Sequence, residues 1–490
     1  MAGAGDYAPG AGQGGGPRGS LPCLDVLGSP AVRTAFRAVL IAVQALWQGG
    51  RYAVGRTLCF VLAWRVPAGE RRARVERLRA LCFTDFFRNL GATFIKIGQI
   101  LSSRPDLLPP YIIDELQLLQ DHVPSFDYVH VQRTFQEDFG KPPEEVFRKI
   151  EERPLAAASI AQVHEAWLQS GEHVAVKVRR PNIAEAMKGD LSVIRLLARM
   201  THWMPYLGTL RMGSQAETFA RAIHAQLDLS QEARNNRRFR ENFKDFSFAR
   251  FPKLIDEYCS GRVITMEFCK GKKLQEVVEN PPLERKELAS RLFAFYIEMV
   301  FGNQFIHADL HPGNVFIDER GNFILLDTGL VCDMPREYVK RFMQLALSVS
   351  TLDGPTLVRA YLEGRKGEPA APDVMARAEK DAKVISDRLA GKKLKDIEFG
   401  KVFLDIFALL RKYRIWLEPE LTMMMVSDIT MEGMAKTLYP DFDMIGCMQA
   451  EVPKYLPRLG GVDVPEGVKR FYAERAKAAQ AQSARASTFG

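Results

Sequence analysis

The sequence predicts an α+β protein with two lobes, in which a small β-rich lobe follows a helical N-terminal extension and precedes a mainly helical lobe. Before about residue 150, apolar residues recur at intervals of three and four, as in amphipathic helices. Short β-branched runs such as HVAVKVRR then alternate with turn residues, as in antiparallel strands. Helical spacing returns from about residue 283 and, after two short strands, continues to about residue 455. This order places a binding site in the cleft between the lobes.

At 490 residues the chain is long enough for a two-lobed protein with extensions. Its Gly-rich start and its polar, Ala-rich end are typical of disordered tails. The segments that we expect are 1–25 for a disordered tail, 26–80 for basic and apolar helices, 81–150 for a helical extension, 151–268 for the β-rich lobe with a helical insertion, 269–455 for the helical lobe and 456–490 for a polar tail.

The charge balance favours anionic partners. Lys and Arg number 67 against 59 Asp and Glu, which gives a formal net charge of +8, so nucleotides and lipid headgroups are favoured. Nucleic acid is not expected as a partner, because neither zinc-finger spacing nor a basic module with interleaved aromatic residues is present. The seven scattered cysteines form no CxxC pair, which is typical of a reducing compartment.

Two apolar stretches near the N-terminus are candidates for contact with a membrane surface. They span residues 38–47 and 58–64 and are flanked by arginines, as in helices that lie on an anionic bilayer. Packing of the same stretches on the protein itself is the equal alternative. We find no secretory signal and no run of about eighteen apolar residues, so we expect a cytoplasmic, peripherally membrane-associated protein.

Three polar residues beyond residue 300 have the spacing of a phosphoryl-transfer site. The stretch HADLHPGN contains Asp309 and Asn314, which match the H-R-D-L-x-x-x-N pattern of a kinase catalytic loop. Asp309 would position or deprotonate an attacking hydroxyl, and the neutral oxygen of Asn314 would bind Mg²⁺. Asp327 follows in LLDTG, at the end of a short strand, and is the expected main Mg²⁺ ligand. A turn-forming role would explain Asp327 alone but not the ordered set.

The β-rich lobe supplies a lysine for the nucleotide phosphates. In HVAVKVRRP, alternation puts three valines on one face of a strand and Lys177 on the other, in a V-A-x-K pattern. An ordinary solvent-facing strand lysine is the alternative. The carboxylate that orients Lys177 is expected on the helical insertion that follows. Glu232 is the first choice, and Asp228, one turn earlier on the same face, is the competitor.

The expected phosphate loop is rich in alanine. A conventional kinase has G-x-G-x-x-G-x-V before this lysine, whereas this chain has AAASIAQV, with alanines at the three glycine positions. Alanine resists a positive φ and adds a Cβ near the phosphates, so the loop should be stiffer and hold the phosphates differently. The stretch GRVITMEFCKG, a strand and a linker, completes the pocket. The expected nucleotide contacts are Ala156, Ala157, Ala158, Ser159, Ala161, Val163, Lys177, Met266 and Phe268.

Two further departures concern regulation. Ala308 stands where H-R-D has the arginine that meets a phosphorylated activation loop, and no A-P-E sequence follows Asp327. Thr328 stands where D-F-G has an aromatic ring whose packing distinguishes active from inactive kinases. We therefore expect no control by activation-loop phosphorylation.

Together these motifs resemble the UbiB-type, or AarF-like, atypical kinases of coenzyme Q biosynthesis, over roughly residues 80–450. The segment FIKIGQILSSRPDLLP strengthens the resemblance, because Lys96, Gly98 and Gln99 match the family's K-x-G-Q signature. The resemblance implies a protein-kinase-like fold whose helical extension lies across the site and occludes the place of a protein substrate. It also implies ATP and Mg²⁺ as cofactors. The partners that it implies are quinone-precursor lipids and enzymes of quinone biosynthesis.

One departure from the family concerns how the extension is held. The family carries E-x-D before the orienting glutamate, whereas this chain reads QLD, from Gln226 to Asp228. A contact from Lys96 to Gln226 would be neutral and therefore weaker than an ion pair. The departure concerns that contact alone, because Asp228 and Glu232 remain for the nucleotide site.

The expected function is that of an ATP- and Mg²⁺-dependent atypical kinase or ATPase that supports quinone biosynthesis at a membrane surface. Two alternatives stay open: a conventional phosphotransferase acting on a small molecule or protein, and a nucleotide-sensing scaffold without turnover. Transfer of phosphate to an added substrate would favour the first alternative. Stabilisation by ATP without hydrolysis would favour the second.

Overall fold

The structure is a computed structural model, which describes residues 30–62, 66–102, 104–105, 107–120, 124–200, 212–350, 371–389, 399–413, 418–462, 469 and 473. The tail expected at 1–25 lies outside these residues, as does most of the tail expected at 456–490. Within the described residues, no helix combines the length and the apolar character needed to cross a membrane.

The N-terminal extension is helical, as predicted. α1 (Pro30–Leu62) and α2 (Ala68–Leu90) pack against each other. Gly91 then breaks the helix with a φ of 88°, a conformation that suits glycine, before α3 (Ala92–Ser102) begins. α4 (Pro110–Gln117) starts with proline at its first position, where the missing N–H costs no hydrogen bond.

The remaining α-helices of the described residues, in chain order, are α5 (Tyr128–Phe139), α6 (Pro143–Val146), α7 (Ile183–Met200), α8 (Met212–Leu227), α9 (Leu229–Asn242), α10 (Leu274–Glu279), α11 (Arg285–Ile297), α12 (Arg336–Ser350), α13 (Pro372–Leu389), α14 (Phe399–Lys412), α15 (Pro419–Leu438), α16 (Met444–Glu451) and α17 (Leu456–Leu459). The strands are β1 (Phe147–Ile150), β2 (Ala156–Ala157), β3 (Ala161–Leu168), β4 (His173–Arg179), β5 (Ala249–Arg250), β6 (Val263–Glu267), β7 (Lys272–Lys273), β8 (Phe305–His307), β9 (Val315–Ile317), β10 (Phe323–Leu325) and β11 (Val331–Asp333).

The small lobe is an antiparallel sheet of five strands in the order β1-β3-β4-β6, with β2 paired to the edge of β3. The alternation predicted for β4 is confirmed, since Val174, Val176 and Val178 are buried while Lys177 lies on the opposite face. α7, α8 and α9 form the predicted helical insertion between β4 and β6. The extension packs on this insertion, in one apolar cluster that includes Phe94 and Met187.

The large lobe is mainly helical, also as predicted, and its core is a single apolar cluster in which α11 packs against α15. Met424 and Met425 on α15 are fully buried there. Two small sheets lie beside these helices, with strand orders β5-β10-β9-β7 and β11-β8. They carry the loops that follow β8 and β10, so the catalytic-loop residues and Asp327 lie beside the packed helices of the large lobe. The predicted two-lobed α+β fold is confirmed.

Candidate active site

Lys177 links the two lobes at the cleft. Its Nζ lies 2.7 and 2.8 Å from the two carboxylate oxygens of Glu232 and 3.0 Å from Oδ2 of Asp327. β4 carries the lysine, α9 carries the glutamate, and the aspartate follows β10, so three elements distant in sequence meet at one ammonium group. The side chains of Lys177 and Glu232 are only 13% and 7% exposed, whereas that of Asp327 is 44% exposed.

Burial and opposite charge together decide the ionisation of these groups. Burial disfavours a charged amine, but the carboxylates of Asp327 and Glu232 hold the pKa of Lys177 above its usual value. The partial burial of Asp327 also opposes its ionisation, yet the Lys177 charge and the N–H of Gly329 hold the pKa of Asp327 well below its usual range. Burial raises the pKa of Glu232 to about 7, and Lys177 offsets this only in part.

We expect nucleotide binding and turnover to fall as the pH drops through about 7, because the ion pair with Lys177 requires an ionised Glu232. A carboxyl whose pKa is raised by folding binds its proton more tightly in the folded state. The contribution of Glu232 to stability is therefore present at low pH and is lost as the pH rises from 4.5 to about 7. The measurement is the pH profile of ATP–Mg²⁺ affinity and turnover. In Glu232→Gln the step near pH 7 should be absent, and a wild-type profile that stays flat down to a pH of about 5 would contradict the expectation.

The residues around Asp327 fit a Mg²⁺–nucleotide complex. Nδ2 of Asn314 donates to the backbone oxygen of Asp309 at 3.1 Å, and its amide oxygen has no hydrogen bond to any described residue. Oδ1 of Asp327 accepts from the N–H of Gly329 at 2.8 Å, which orients the carboxylate. Across the described residues, no group of three or more His, Cys, Asp or Glu could hold a metal ion alone. Mg²⁺ takes one or two protein oxygens and completes its shell with phosphates and water, so the carboxylate of Asp327 and the amide oxygen of Asn314 fit it.

His307 joins the catalytic loop to the metal-binding turn. Its buried ring lies with Nε2 at 2.5 Å from the backbone oxygen of Asp327 and with Nδ1 at 3.3 Å from the backbone N–H of Asp309. Because Nδ1 accepts, Nε2 carries the proton, and burial lowers the pKa of His307, so the ring is neutral. The carboxylate of Asp309 is partly exposed and makes no hydrogen bond to a described residue, which leaves it available to a hydroxyl or water.

Thr328 fastens the metal-binding turn to α9. Its Oγ1 donates to the backbone oxygen of Glu232 at 3.1 Å, and Nδ2 of Asn235 donates to the backbone oxygen of Thr328 at 2.9 Å. All three residues are buried. Thr328 occupies the position where a D-F-G motif has a movable ring, and here its hydrogen bonds fix that position to α9. Sequence reasoning missed Asn235, although its spacing of three from Glu232 puts both on one helix face.

The Ala-rich loop is a closed hairpin. Ala156 of β2 lies opposite Val163 of β3, and the N–H of Ala158 donates to the backbone oxygen of Ala161 at 2.8 Å. No residue between 156 and 163 has a positive φ. The loop thus has the backbone conformation that alanine prefers, as expected from the replacement of the three glycines.

The other residues expected to contact the nucleotide lie in different parts of the small lobe and differ in how buried they are. Ala157 pairs with β3, and Ser159 is buried at the hairpin tip. Met266 is buried at the end of β6, directly opposite Ala175 of β4. The ring of Phe268 stacks on that of His173, with centroids 3.9 Å apart, so one face of Phe268 is already covered.

Two residues that sequence reasoning missed bind the extension to the Ala-rich loop. Oε1 of Gln162 accepts from the backbone N–H of Phe126 at 3.0 Å, and Nε2 donates to the Phe126 backbone oxygen at 3.3 Å. Arg180 donates to the backbone oxygens of Ala158, at 2.8 Å, and Pro124, at 2.7 Å. Gln162 alternates in phase with the apolar Ala166 and Leu168 along β3, and a glutamine on an inward-facing position needs a hydrogen-bond partner; this spacing is the signal that could have found the contact.

The extension also bonds to the large lobe, since Nη1 of Arg411 in α14 donates to the backbone oxygen of Pro105. In the K-x-G-Q segment, Gly98 is a packing residue, because a Cβ there would lie 2.8 Å from Leu119. Lys96 and Gln99 are partly exposed, and neither side chain has a hydrogen bond or ion pair within the described residues.

The contact expected between Lys96 and Gln226 does not form among the described residues. Gln226 is 8% exposed, and neither atom of its side-chain amide has a partner. Asp228, the competitor for the orienting carboxylate, instead caps α9, with its side chain accepting from the N–H of Ser230 at 3.0 Å. The extension is therefore held at Gln162, Arg180 and Arg411, where sequence reasoning placed no contact.

Gln162→Leu is expected to release the extension from the small lobe. The change removes both hydrogen bonds to the partly buried Phe126 backbone and the contact of Gln162 with Nε2 of His164, at a cost of about 0.5–1.5 kcal/mol for each hydrogen bond. We expect faster amide exchange at residues 124–127, measured by hydrogen–deuterium exchange. Gln169→Leu, an exposed glutamine just beyond the same strand, is the matched control and should leave that exchange unchanged. Equal exchange in the two variants would contradict this account of the contact.

Comparison with known proteins agrees with the fold and the cleft. The chain matches the ABC1 atypical kinase-like domain over residues 118–361 and the UbiB helical domain over residues 383–443. A "Probable protein kinase UbiB" of Pseudomonas fluorescens is 31% identical over 405 residues, which cover 81% of this chain and 75% of that protein. One of the same name from Tolumonas auensis is 30% identical over 405 residues, covering 81% and 73%.

Among solved structures, the Rv3197–erythromycin complex from Mycobacterium tuberculosis is similar, with a TM-score of 0.50 and 20% identity over 73% of this chain and 90% of that chain. At that identity the likeness concerns the fold. Two lobes with a lysine–glutamate pair in the small lobe and an aspartate across the cleft define an atypical kinase-like protein of phosphotransferase type. Within that class, the chain belongs to the UbiB family.

Proposed function

We propose that the chain is an ATP- and Mg²⁺-dependent atypical kinase or ATPase that supports ubiquinone biosynthesis at a membrane surface. The cluster of Lys177, Glu232 and Asp327 carries this proposal, because it unites the phosphate-binding cation, its orienting carboxylate and a metal-type carboxylate within about 3 Å of one nitrogen. Membership of the UbiB family supports the quinone part of the proposal.

Each residue would have one role in phosphoryl transfer. Lys177 would bind the α- and β-phosphates, and Glu232 would hold its ammonium group in place. Asp327 and Asn314 would hold Mg²⁺, which when bound neutralises charge on the phosphate oxygens. The half-buried carboxylate of Asp309 would position the attacking hydroxyl or water.

The way the extension is held favours a small acceptor over a protein. Pro124 and Phe126 are bonded to Arg180 and Gln162, beside the phosphate loop, and Pro105 is bonded to the large lobe. A protein substrate would have to displace this segment to reach the cleft. Water, a quinone precursor or another small molecule would not.

Phosphate release from ATP by the purified protein tests the proposal. We expect hydrolysis with Mg²⁺ and its loss when EDTA removes the metal. Hydrolysis that survives EDTA would overturn the proposed metal dependence. If ATP–Mg²⁺ raises the melting temperature but no phosphate is released, with or without vesicles, a nucleotide-sensing scaffold is the better description. Stoichiometric transfer of labelled phosphate to an added substrate would favour a conventional phosphotransferase.

A further inference from the structure

α1 presents a long apolar stripe to solvent. Among the described residues, fourteen large hydrophobic side chains are exposed, and ten of them lie on this one helix. They recur mainly at intervals of three, four and seven, which keeps them on one face over about 45 Å of helix. The stripe includes Phe36, Val39, Val43, Leu46, Val54 and Leu58, with exposed fractions from 37% to 77%.

The opposite face of α1 is packed, so the stripe belongs to a fixed helix. Ile41 is 5% exposed, within the apolar cluster of the extension. A Cβ at Gly55 would lie 2.5 Å from a side-chain carbon of Leu78, which shows how closely α1 approaches α2. Arg37 forms an ion pair with Asp190 of α7, which ties α1 to the helical insertion of the small lobe.

The positive charge around α1 favours an anionic partner for the stripe. Residues 30–90 contain eleven arginines and three acidic residues, a formal net charge of +8 that equals the charge of the whole chain. α1 itself has four arginines and no acidic residue. Arg56 is exposed and has no ion pair within the described residues. A second copy of α1 would bring the same positive charge to the stripe, whereas an anionic lipid surface would bring the opposite charge.

We propose that α1 lies along the surface of an anionic lipid bilayer, with its apolar stripe at the boundary between headgroups and acyl chains. Trp47, which is 67% exposed beside the stripe, has the amphipathic ring that favours this depth. The net positive charge of residues 30–90 would attract the headgroup phosphates, with Arg56 as an exposed arginine that no ion pair among the described residues neutralises. The proposed function places the chain at a membrane, and this proposal names α1 as the surface that would contact it. The observations that support it concern α1 and not the nucleotide site.

Co-flotation of the full chain with vesicles tests the proposal. Wild type should bind vesicles of phosphatidylcholine mixed with phosphatidylglycerol, bind phosphatidylcholine alone more weakly, and lose affinity as salt is added. The double variant Val43→Glu, Leu46→Glu should reduce the affinity at least about tenfold, because two apolar side chains no longer enter the boundary. Val384→Glu on α13 is the matched control, since Val384 and Val43 are both 54% exposed.

Three results would overturn the proposal. The double variant could bind as wild type does, or Val384→Glu could lose as much affinity. Alternatively, wild type could be a dimer that the double variant makes monomeric, with no binding of wild type to vesicles, which would assign the stripe to a second copy. Asp327→Asn separates this test from that of the proposed function, because it should bind vesicles normally even when hydrolysis is lost.

Discussion

Asp327→Asn is expected to lower Mg²⁺-dependent ATP hydrolysis by about a hundredfold or more, since a metal ligand supplies several kcal/mol of transition-state stabilisation. The variant keeps the shape of the side chain but removes the charge that would hold Mg²⁺. It should still fold, because Glu232 continues to pair with Lys177 at 2.7 and 2.8 Å. The measurements are turnover at saturating ATP, the Mg²⁺ concentration for half-maximal rate, and the melting temperature.

Asp333→Asn is the matched control for this variant. Asp333 lies six residues further along the chain, pairs with Arg238 on the surface, and has a side chain that is 66% exposed. Its removal should leave turnover unchanged, because exposed ion pairs contribute about 1 kcal/mol or less to stability and this one does not involve Lys177. If Asp327→Asn hydrolysed ATP as fast as wild type, Asp327 would not be a Mg²⁺ ligand.

Lys177→Met is expected to abolish nucleotide turnover and to destabilise the fold by about 3 kcal/mol, the cost of leaving a buried carboxylate without its partner. Glu232 is 7% exposed, so without the ammonium it can avoid a buried charge only by taking up a proton. The variant should therefore lose further stability as the pH rises. Chemical denaturation at several pH values measures both effects.

Lys149→Met gives the comparison for an exposed lysine of the same sheet. Lys149 on β1 is 62% exposed and pairs with Glu151, so its loss should change the free energy of unfolding by only about 0.5 kcal/mol. In the double variant Lys177→Met, Glu232→Gln, part of the lost stability should return, because no buried carboxylate remains unpaired at that position. A Lys177→Met protein as stable as wild type would show that the pair does not hold α9 in place.

The parts of the site that are local in sequence could be predicted. Asp309 and Asn314 lie in one loop, and alternation within β4 was enough to put Lys177 on the face away from the valine core. The alanines of the phosphate loop predicted a backbone without positive φ, and no residue of the loop has a positive φ. Each of these depends on spacing within a few residues, which the sequence displays directly.

Long-range contacts could not be predicted in the same way. Asp228 and Glu232 are one turn apart, and spacing alone allowed either to orient Lys177. In the folded chain Asp228 precedes α9 and caps it, which leaves Glu232 inside the cleft. The extension was expected to be held through Lys96 and Gln226, but the bonds run from Gln162 and Arg180 to backbone groups that any residue could supply.

The sequence by itself determined the fold class and the residues of the catalytic loop and phosphate lysine, because these follow from periodicity and short spacings. The family resemblance came from matched motifs, which are also local in sequence. Only the tertiary structure decided which carboxylate pairs with Lys177, how Thr328 fastens α9, where the extension is held and which face of α1 stays exposed. The reason is physical. Gln162 meets Phe126 across 36 residues and Arg180 meets Pro124 across 56, and such pairs form only when packing brings the elements together.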